Sequence, residues 1–314
     1  MKFKIAVIYQ GVLYSCFLGV VCLMLLLAEV TGETEIIFPE LAAIGLGIFL
    51  SPKRSWATNK KRMLILLSLA AVIGILIVRF VPGPQWGQML LAYAVSQLML
   101  LYSRTTFAPF ISAIVLPVML GSDSIVYVIS AIGLTAFVLG ITWILEQFKI
   151  WDKEPFVQRQ KATPMEYLKA LVRIIIIGIS IYLAFRIDIQ YAVAPPVLVA
   201  FTEFMRPGGQ PPQKPVRVCV FVVLCSMLGV ICRMAFDVNF VHSLILAGAF
   251  AAVGVLFLVR WFKLYIPPAA ALAILPMLID VNKLIWYPLQ VAIGMSILTG
   301  IAFWINGKRL EGKG

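Results

Sequence analysis

Two cations and two proline-led apolar segments are the residues of this chain best suited to chemistry. Arg104 stands shortly before FAPFISAIVLP, residues 107–117, and Lys263 shortly before IPPAAALAILP, residues 266–276. A helix starting at each proline offers unpaired N–H groups and the positive end of a dipole, and a neighbouring cation completes an anion site. Arg104, Pro109, Ser112, Lys263, Pro267 and Pro268 are therefore the candidate substrate-binding residues, with the prolines holding the backbone open to a bound solute. The competing reading makes Arg104 and Lys263 ordinary loop anchors at a cytoplasmic face, and the small residues around Ser112 a close helix contact.

Glu40, Glu203 and His242 are the candidates for proton coupling, because ionisable groups inside apolar segments are costly to keep there. Glu203 lies three residues before Arg206, a spacing that lets the two pair on one helical face. Glu40 lies about a turn inside the outer end of its segment, from which it can reach the surface. His242 is the single histidine of the chain, near the outer end of its helix. Cys16, Cys22, Cys219, Cys225 and Cys232 all fall in apolar runs without metal or redox spacing, so neither a disulfide nor a metal is expected, and no cofactor. Nucleophile motifs, phosphate-binding glycine loops and paired carboxylates are absent from the sequence, which argues against an enzyme.

Lipid must surround the elements that position these groups. With 62% hydrophobic and 13% charged side chains over 314 residues, the chain carries more apolar surface than a soluble core can hide. The net charge of +12 sits in short loops between apolar runs, where topology explains it better than nucleic acid, so the bilayer and not nucleic acid is the expected partner. Twelve runs stand out, at 5–28, 36–50, 63–81, 86–101, 107–120, 125–146, 168–185, 191–205, 217–236, 240–259, 264–280 and 285–305, the first read as a retained helix. If all cross with both termini cytoplasmic, only Arg79, Arg186, Arg233 and Lys283 among the lysines and arginines fall outside. That asymmetry orients a multi-pass protein in the cytoplasmic membrane. Runs 36–50, 107–120 and 191–205 are short for about 30 Å of hydrocarbon, so they are tilted, buried or re-entrant.

The chain also repeats itself. At an offset of 159, Pro109 aligns with Pro268, Pro117 with Pro276, Arg104 with Lys263, Asp123 with Asn282 and Tyr127 with Trp286. At an offset of 155, Ser51-Pro52 aligns with Arg206-Pro207 and Gly74 with Gly229. Residues 1–150 read as a first membrane repeat, 151–164 as a polar cytoplasmic linker and 165–314 as a second repeat. Six crossings per half make the repeats parallel.

The segment IPPAAALAILP, with the Arg206-Pro207 break and a glycine-containing helix before it, resembles the HPP family of integral membrane proteins, and the first copy looks like a diverged relative. The resemblance implies two fused HPP-like units and, since some members carry nitrite, small-anion transport. The motif histidine is Ile266 here, so no role of that histidine carries over. The expected fold is an all-α polytopic membrane protein with about 12 transmembrane or partly re-entrant helices in two pseudo-symmetric halves. The expected function is a permease-like carrier of a small anion, using a site between the proline segments. The alternative is a non-transporting scaffold or subunit of a larger membrane complex, and a second copy of the chain is a further candidate partner.

Overall fold

The computed structural model describes residues 2–51, 55–150, 161–206, 214–239 and 241–311, with side chains between residues 10 and 305 of these. Among the described residues the chain is all-helical. Its long helices are α1 (Lys2–Thr31), α3 (Lys60–Phe80), α4 (Gln85–Ser103), α6 (Ile125–Gln147), α7 (Pro164–Arg186), α9 (Pro215–Arg233), α10 (Leu244–Phe262) and α13 (Tyr287–Glu311). Polar residues in the connections start them: Asn59, Ser124 and Ser243 each accept an N–H from the first turn that follows, and Thr163 with Glu166 forms a capping box.

Seven of these helices, all but α4, are long and apolar enough to cross a membrane. Helix α4 equals α10 in length, but Gln85, Gln88 and Gln97 make it more polar. Outward-facing Leu69, Ile129, Ile175, Ile179 and Phe257 are each at least half exposed. Large aliphatic and aromatic side chains bared on several helices at once mark a surface solvated by lipid. The chain is an all-α membrane protein.

The remaining four of the twelve expected runs became short helices buried at the centre. These are α2 (Glu40–Gly45, continued by a π turn to Leu50), α5 (Pro109–Leu120), α8 (Pro195–Met205) and α11 (Pro267–Ile274, continued by a 3-10 turn to Leu278). The 12 residues of α5 span about 18 Å, well short of the hydrocarbon thickness. The four pack in a closed ring in which α2 touches α5, α5 touches α8, α8 touches α11 and α11 touches α2. The long helices surround them. Thus α5 and α11, the two proline segments, occupy opposite corners of the ring.

Each of these four short helices begins at a proline, unlike the single turn α12 (Val281–Leu284): Pro39 precedes α2, Pro109 opens α5, Pro195-Pro196 opens α8 and Pro267-Pro268 opens α11. A helix that starts inside an apolar medium would leave N–H groups without partners, and proline in the first turn removes the donors while presetting φ. The carbonyl ends are satisfied by side chains. Gln85 donates to the carbonyls of Val118 and Met119 at the end of α5, and Arg233 donates to those of Pro276 and Ile279 beyond α11.

Pro117 and Pro276 lie near the far ends of α5 and α11, and each frees the carbonyl four residues earlier. Tyr127 donates its hydroxyl to Ala113 O at 3.0 Å, and Tyr287 donates to Leu272 O at 2.9 Å. Both phenols are fully buried. The second tyrosine corrects the expected alignment, since Trp286 is 60% exposed and its neighbour Tyr287 does the work of Tyr127. Glycines let the long helices approach these kinks: a Cβ on Gly74 would stand 2.6 Å from Ile114 O and from Pro117, and one on Gly229 would stand 2.2 Å from Ala273 O.

Side-chain contacts gather at two ends. One is basic, with Lys60 paired to Glu146, Arg62 donating to Ser103 O and the Ala57 N–H to Thr106. At the other, Arg79 pairs with Asp123, Arg233 with Asp237, and Glu29 accepts from Ser243. Most of the expected linker 151–164, together with Pro52, Lys53, Arg54 and Pro207, lies outside the described residues.

Candidate functional site

A polar cleft opens at the basic end between α4, α7 and α8, bordered by Arg104, Thr105, Thr106, Ala108, Glu166, Arg173, Thr202, Glu203 and Arg206. Arg104 gets there because it ends α4 in the left-handed conformation, φ 52°, where a cation also meets the negative end of the helix dipole. The cleft holds a cavity of ≈ 30 Å³, room for little more than a water or a small ion. Its lining carries three guanidinium groups against two carboxyls.

Arg173 is the unusual member. It sits nine residues into α7, about 13 Å from the start, and is 2% exposed. Its Nε donates to Gln97 Oε1 at 2.8 Å, and Gln97 Nε2 reaches Thr202 Oγ1 at 3.5 Å. Thr202 donates to Leu198 O at 2.8 Å, which leaves its oxygen to accept from the Tyr93 hydroxyl, also at 2.8 Å. The donors run from the guanidinium through Gln97 and Thr202 to Leu198 O, and the Tyr93 hydroxyl adds a second donor at Thr202. This polar chain fixes the arginine's position and keeps a positive charge behind the cleft.

Trp56 stands against Glu203 of the cleft lining and itself lines a second cavity. Its Nε1 donates to Glu203 Oε1 at 2.8 Å, its ring lies edge-on to Phe107 at 5.2 Å, and its face rests on Gly47, where a Cβ would come within 2.2 Å. Beyond the indole a second cavity of ≈ 50 Å³ is lined by Gly47, Ser55, Thr58, Lys60 and Glu146. Glu203 and Arg206 lie close enough to interact electrostatically, as the spacing suggests, while their hydrogen bonds go elsewhere: the carboxyl takes the Trp56 N–H, and Arg206 donates to Thr106 O at 3.4 Å.

The other expected residues are dispersed. Lys263 also ends its helix with φ 50°, but it is exposed and does not line the cleft. Pro267 and Pro268 bring no N–H to the start of α11, and Ala269 N–H is taken by Ile266 O, so the anticipated backbone donors are missing for the reason that prolines stand there. At α5, Pro109 likewise lacks a donor, and Ile111 N–H goes to Ala108 O. Ser112 is buried beside Glu40. Glu40 does not reach the surface as expected; it is 1% exposed and neither of its carboxyl oxygens has a hydrogen-bond partner. His242 is on the surface with φ 55°, its ring nitrogen 3.0 Å from Asp237 O. All five cysteines are free, and no metal-ligating cluster occurs among the described residues.

No protein-family model, curated protein or solved structure matches this chain. The site therefore rests on its own geometry. That geometry adds Tyr93, Gln97, Arg173 and Thr202, none of them singled out by the sequence reading. A signal was present in Arg173, a cation inside the run LVRIIII.

Proposed function

We propose that this protein is a permease-like carrier of a small monovalent anion, which it takes up at the cleft of Arg104, Arg173 and Arg206. The observation that carries this reading is Arg173, a buried guanidinium held in place by Gln97 behind a cleft that also bears two further arginines. The excess of one positive charge in the lining suits one negative charge, and the small cavity suits an ion of few atoms. The site lies beside the first proline segment and not between the two.

The carrier has two pseudo-symmetric halves, 1–150 and 165–314, each with four long helices and two short buried ones, with the basic end cytoplasmic. Support comes from contacts that recur at matching positions: α3 on α5 and α9 on α11, α4 on α7 and α10 on α1, Gly74 at Pro117 and Gly229 at Pro276. Rocking of the halves about the ring of short helices would expose the cleft alternately. The likeness of the α11 segment to the HPP motif points in the same direction.

A second reading, a non-transporting subunit of a larger complex, draws on an open groove of ≈ 570 Å³ between α1 and α6, lined by Gly11, Ser15, Gly19, Phe137 and Ile141. Small residues there fit a neighbouring helix. Flux decides between the two. Purified protein in liposomes is assayed with chloride, nitrate and nitrite, alongside Arg173→Gln, Arg104→Gln and Lys263→Gln. The carrier reading expects Arg173→Gln to lose flux at least about tenfold while Lys263→Gln stays near wild type. No flux with any anion, or equal flux in Arg173→Gln, removes it.

A further inference from the structure

Glu40 opens α2 close to the depth of Met24, whose sulfur accepts the Phe38 N–H. Met24 lies seven residues before the end of α1, so the carboxyl is about 10 Å inside that end of the bundle. Its neighbours are few. Ser112 of α5 faces it without a hydrogen bond of ordinary geometry, and Tyr127 of α6 stands nearby with its hydroxyl committed to Ala113 O.

The elements packed on α2 bring no charge to it. Helices α5 and α11 contain no titratable side chain, nor does the π turn 46–50. The stretch of α1 from Phe17 to Ala28 supplies only Cys22, and the one charged residue of α6, Glu146, is paired with Lys60 at the basic end. A carboxylate ionised there, 1% exposed and with no cation on any element packed against it, is heavily disfavoured, so the group rests there as a neutral acid. The other candidates differ: Glu203 has the Trp56 N–H, and His242 lies on the surface.

We propose that Glu40 is a proton-binding site, sealed by α1, α5, α6 and α11, that keeps its proton in this conformation and gives it up when the ring of short helices opens to water. The O–H bond breaks with the proton leaving to water on the side of anion release, and it re-forms with a proton from water on the side of anion uptake before the ring closes around the loaded site. No other bond changes. One proton would thereby accompany each turnover of the carrier. That coupling rests on the carrier reading, whereas the proton site does not.

Two measurements test it separately. Infrared spectra of the reconstituted protein at neutral pH should contain the C=O stretch of a buried carboxylic acid, shifted in D₂O and lost in the near-isosteric Glu40→Gln. Ser112→Ala should move the band without removing it. A spectrum without that band, or one unchanged by Glu40→Gln, overturns the proton site. In liposomes, one pH unit should drive nitrate, which has no neutral form to leak, to about tenfold accumulation through a one-to-one symporter. Glu40→Gln should abolish this accumulation and leave nitrate/nitrate exchange intact. Accumulation that survives in Glu40→Gln, or that follows a sodium gradient at fixed pH, overturns the coupling. If wild type moves no nitrate, the carrier reading fails and the infrared result still decides the proton site.

Discussion

Removing the Tyr127 hydroxyl should cost stability only while Pro117 is present. Pro117 has no N–H, so Ala113 O loses its intrahelical donor, and the phenol supplies the replacement at 3.0 Å with both groups fully buried. Tyr127→Phe keeps the ring and its edge contact with Phe38 but leaves the carbonyl bare, at a cost of about 1–3 kcal/mol. Pro117→Ala gives the backbone its own N–H, aimed at Ala113 O across one turn of a regular helix. In that background the hydroxyl is redundant, and Tyr127→Phe should cost less than about 0.5 kcal/mol. The coupling energy is therefore about 1–2 kcal/mol, while the packing lost with the Pro117 ring beside Gly74 cancels from the cycle. Equilibrium unfolding of all four proteins in mixed SDS micelles measures each corner. Equal costs of Tyr127→Phe in the two backgrounds would refute the exchange of a tyrosine donor for a backbone donor.

Gly229→Ala should destabilise by about 1–3 kcal/mol in the same assay, because its Cβ would meet the carbonyl of Ala273 at 2.2 Å, whereas Gly133→Ala, with nothing within 4 Å, should leave stability unreduced. Glu203→Gln keeps an acceptor for the Trp56 N–H and should unfold near wild type, while Glu203→Leu leaves that donor bare and should lose about 1–3 kcal/mol; equal stability of the two would show that the bond to Trp56 contributes nothing. Arg173→Lys should retain less than about a tenth of wild-type flux, since an ammonium cannot reproduce the fixed guanidinium fork held by Gln97, and full flux would show that charge alone suffices.

Hydropathy made the long helices readable, because a lipid-facing helix advertises itself residue by residue. All four short helices were legible as apolar runs, and 36–50, 107–120 and 191–205 as too short to cross, but only two stood out through a repeated proline motif. A lone Pro39 or a Pro195-Pro196 pair at the head of an apolar run reads as loop punctuation until the helix after it is found buried. The offset that matched Tyr127 to Trp286 failed by one residue, because matched positions alone do not say which ring reaches the freed carbonyl. The polar chain was hidden for a different reason. Its hydrogen bonds join residues 76 and 109 positions apart, on helices α4, α7 and α8, and no periodicity in one segment encodes a partner in another. Arg173 was counted with the bases of the cytoplasmic side, since it stands only five residues into the expected run 168–185, whereas the helix starts earlier, at Pro164.

The two-copy reading separates architecture from chemistry within the molecule itself. On the proposed two-copy reading, features that answer the problem of ending a helix in lipid occur twice: the opening prolines, the kink prolines with their tyrosines and the glycines beneath them. Features that would act on a solute occur once. At the offsets of 159 and 155, Tyr93 corresponds to Ala252, Gln97 to Leu256, Thr202 to Gly47, Arg173 to Leu18, Ser112 to Ala271 and Glu40 to Pro195. A polar group with no duty to the backbone gains nothing by burial, since it must be desolvated and then paired again. Its presence in one half alone, against an apolar residue in the same place in the other, assigns it to function more strongly than the repeated motif does. By this criterion the prolines belong to the scaffold, and Arg173 on α7 and Glu40 on α2 are where substitution should alter transport without altering the fold.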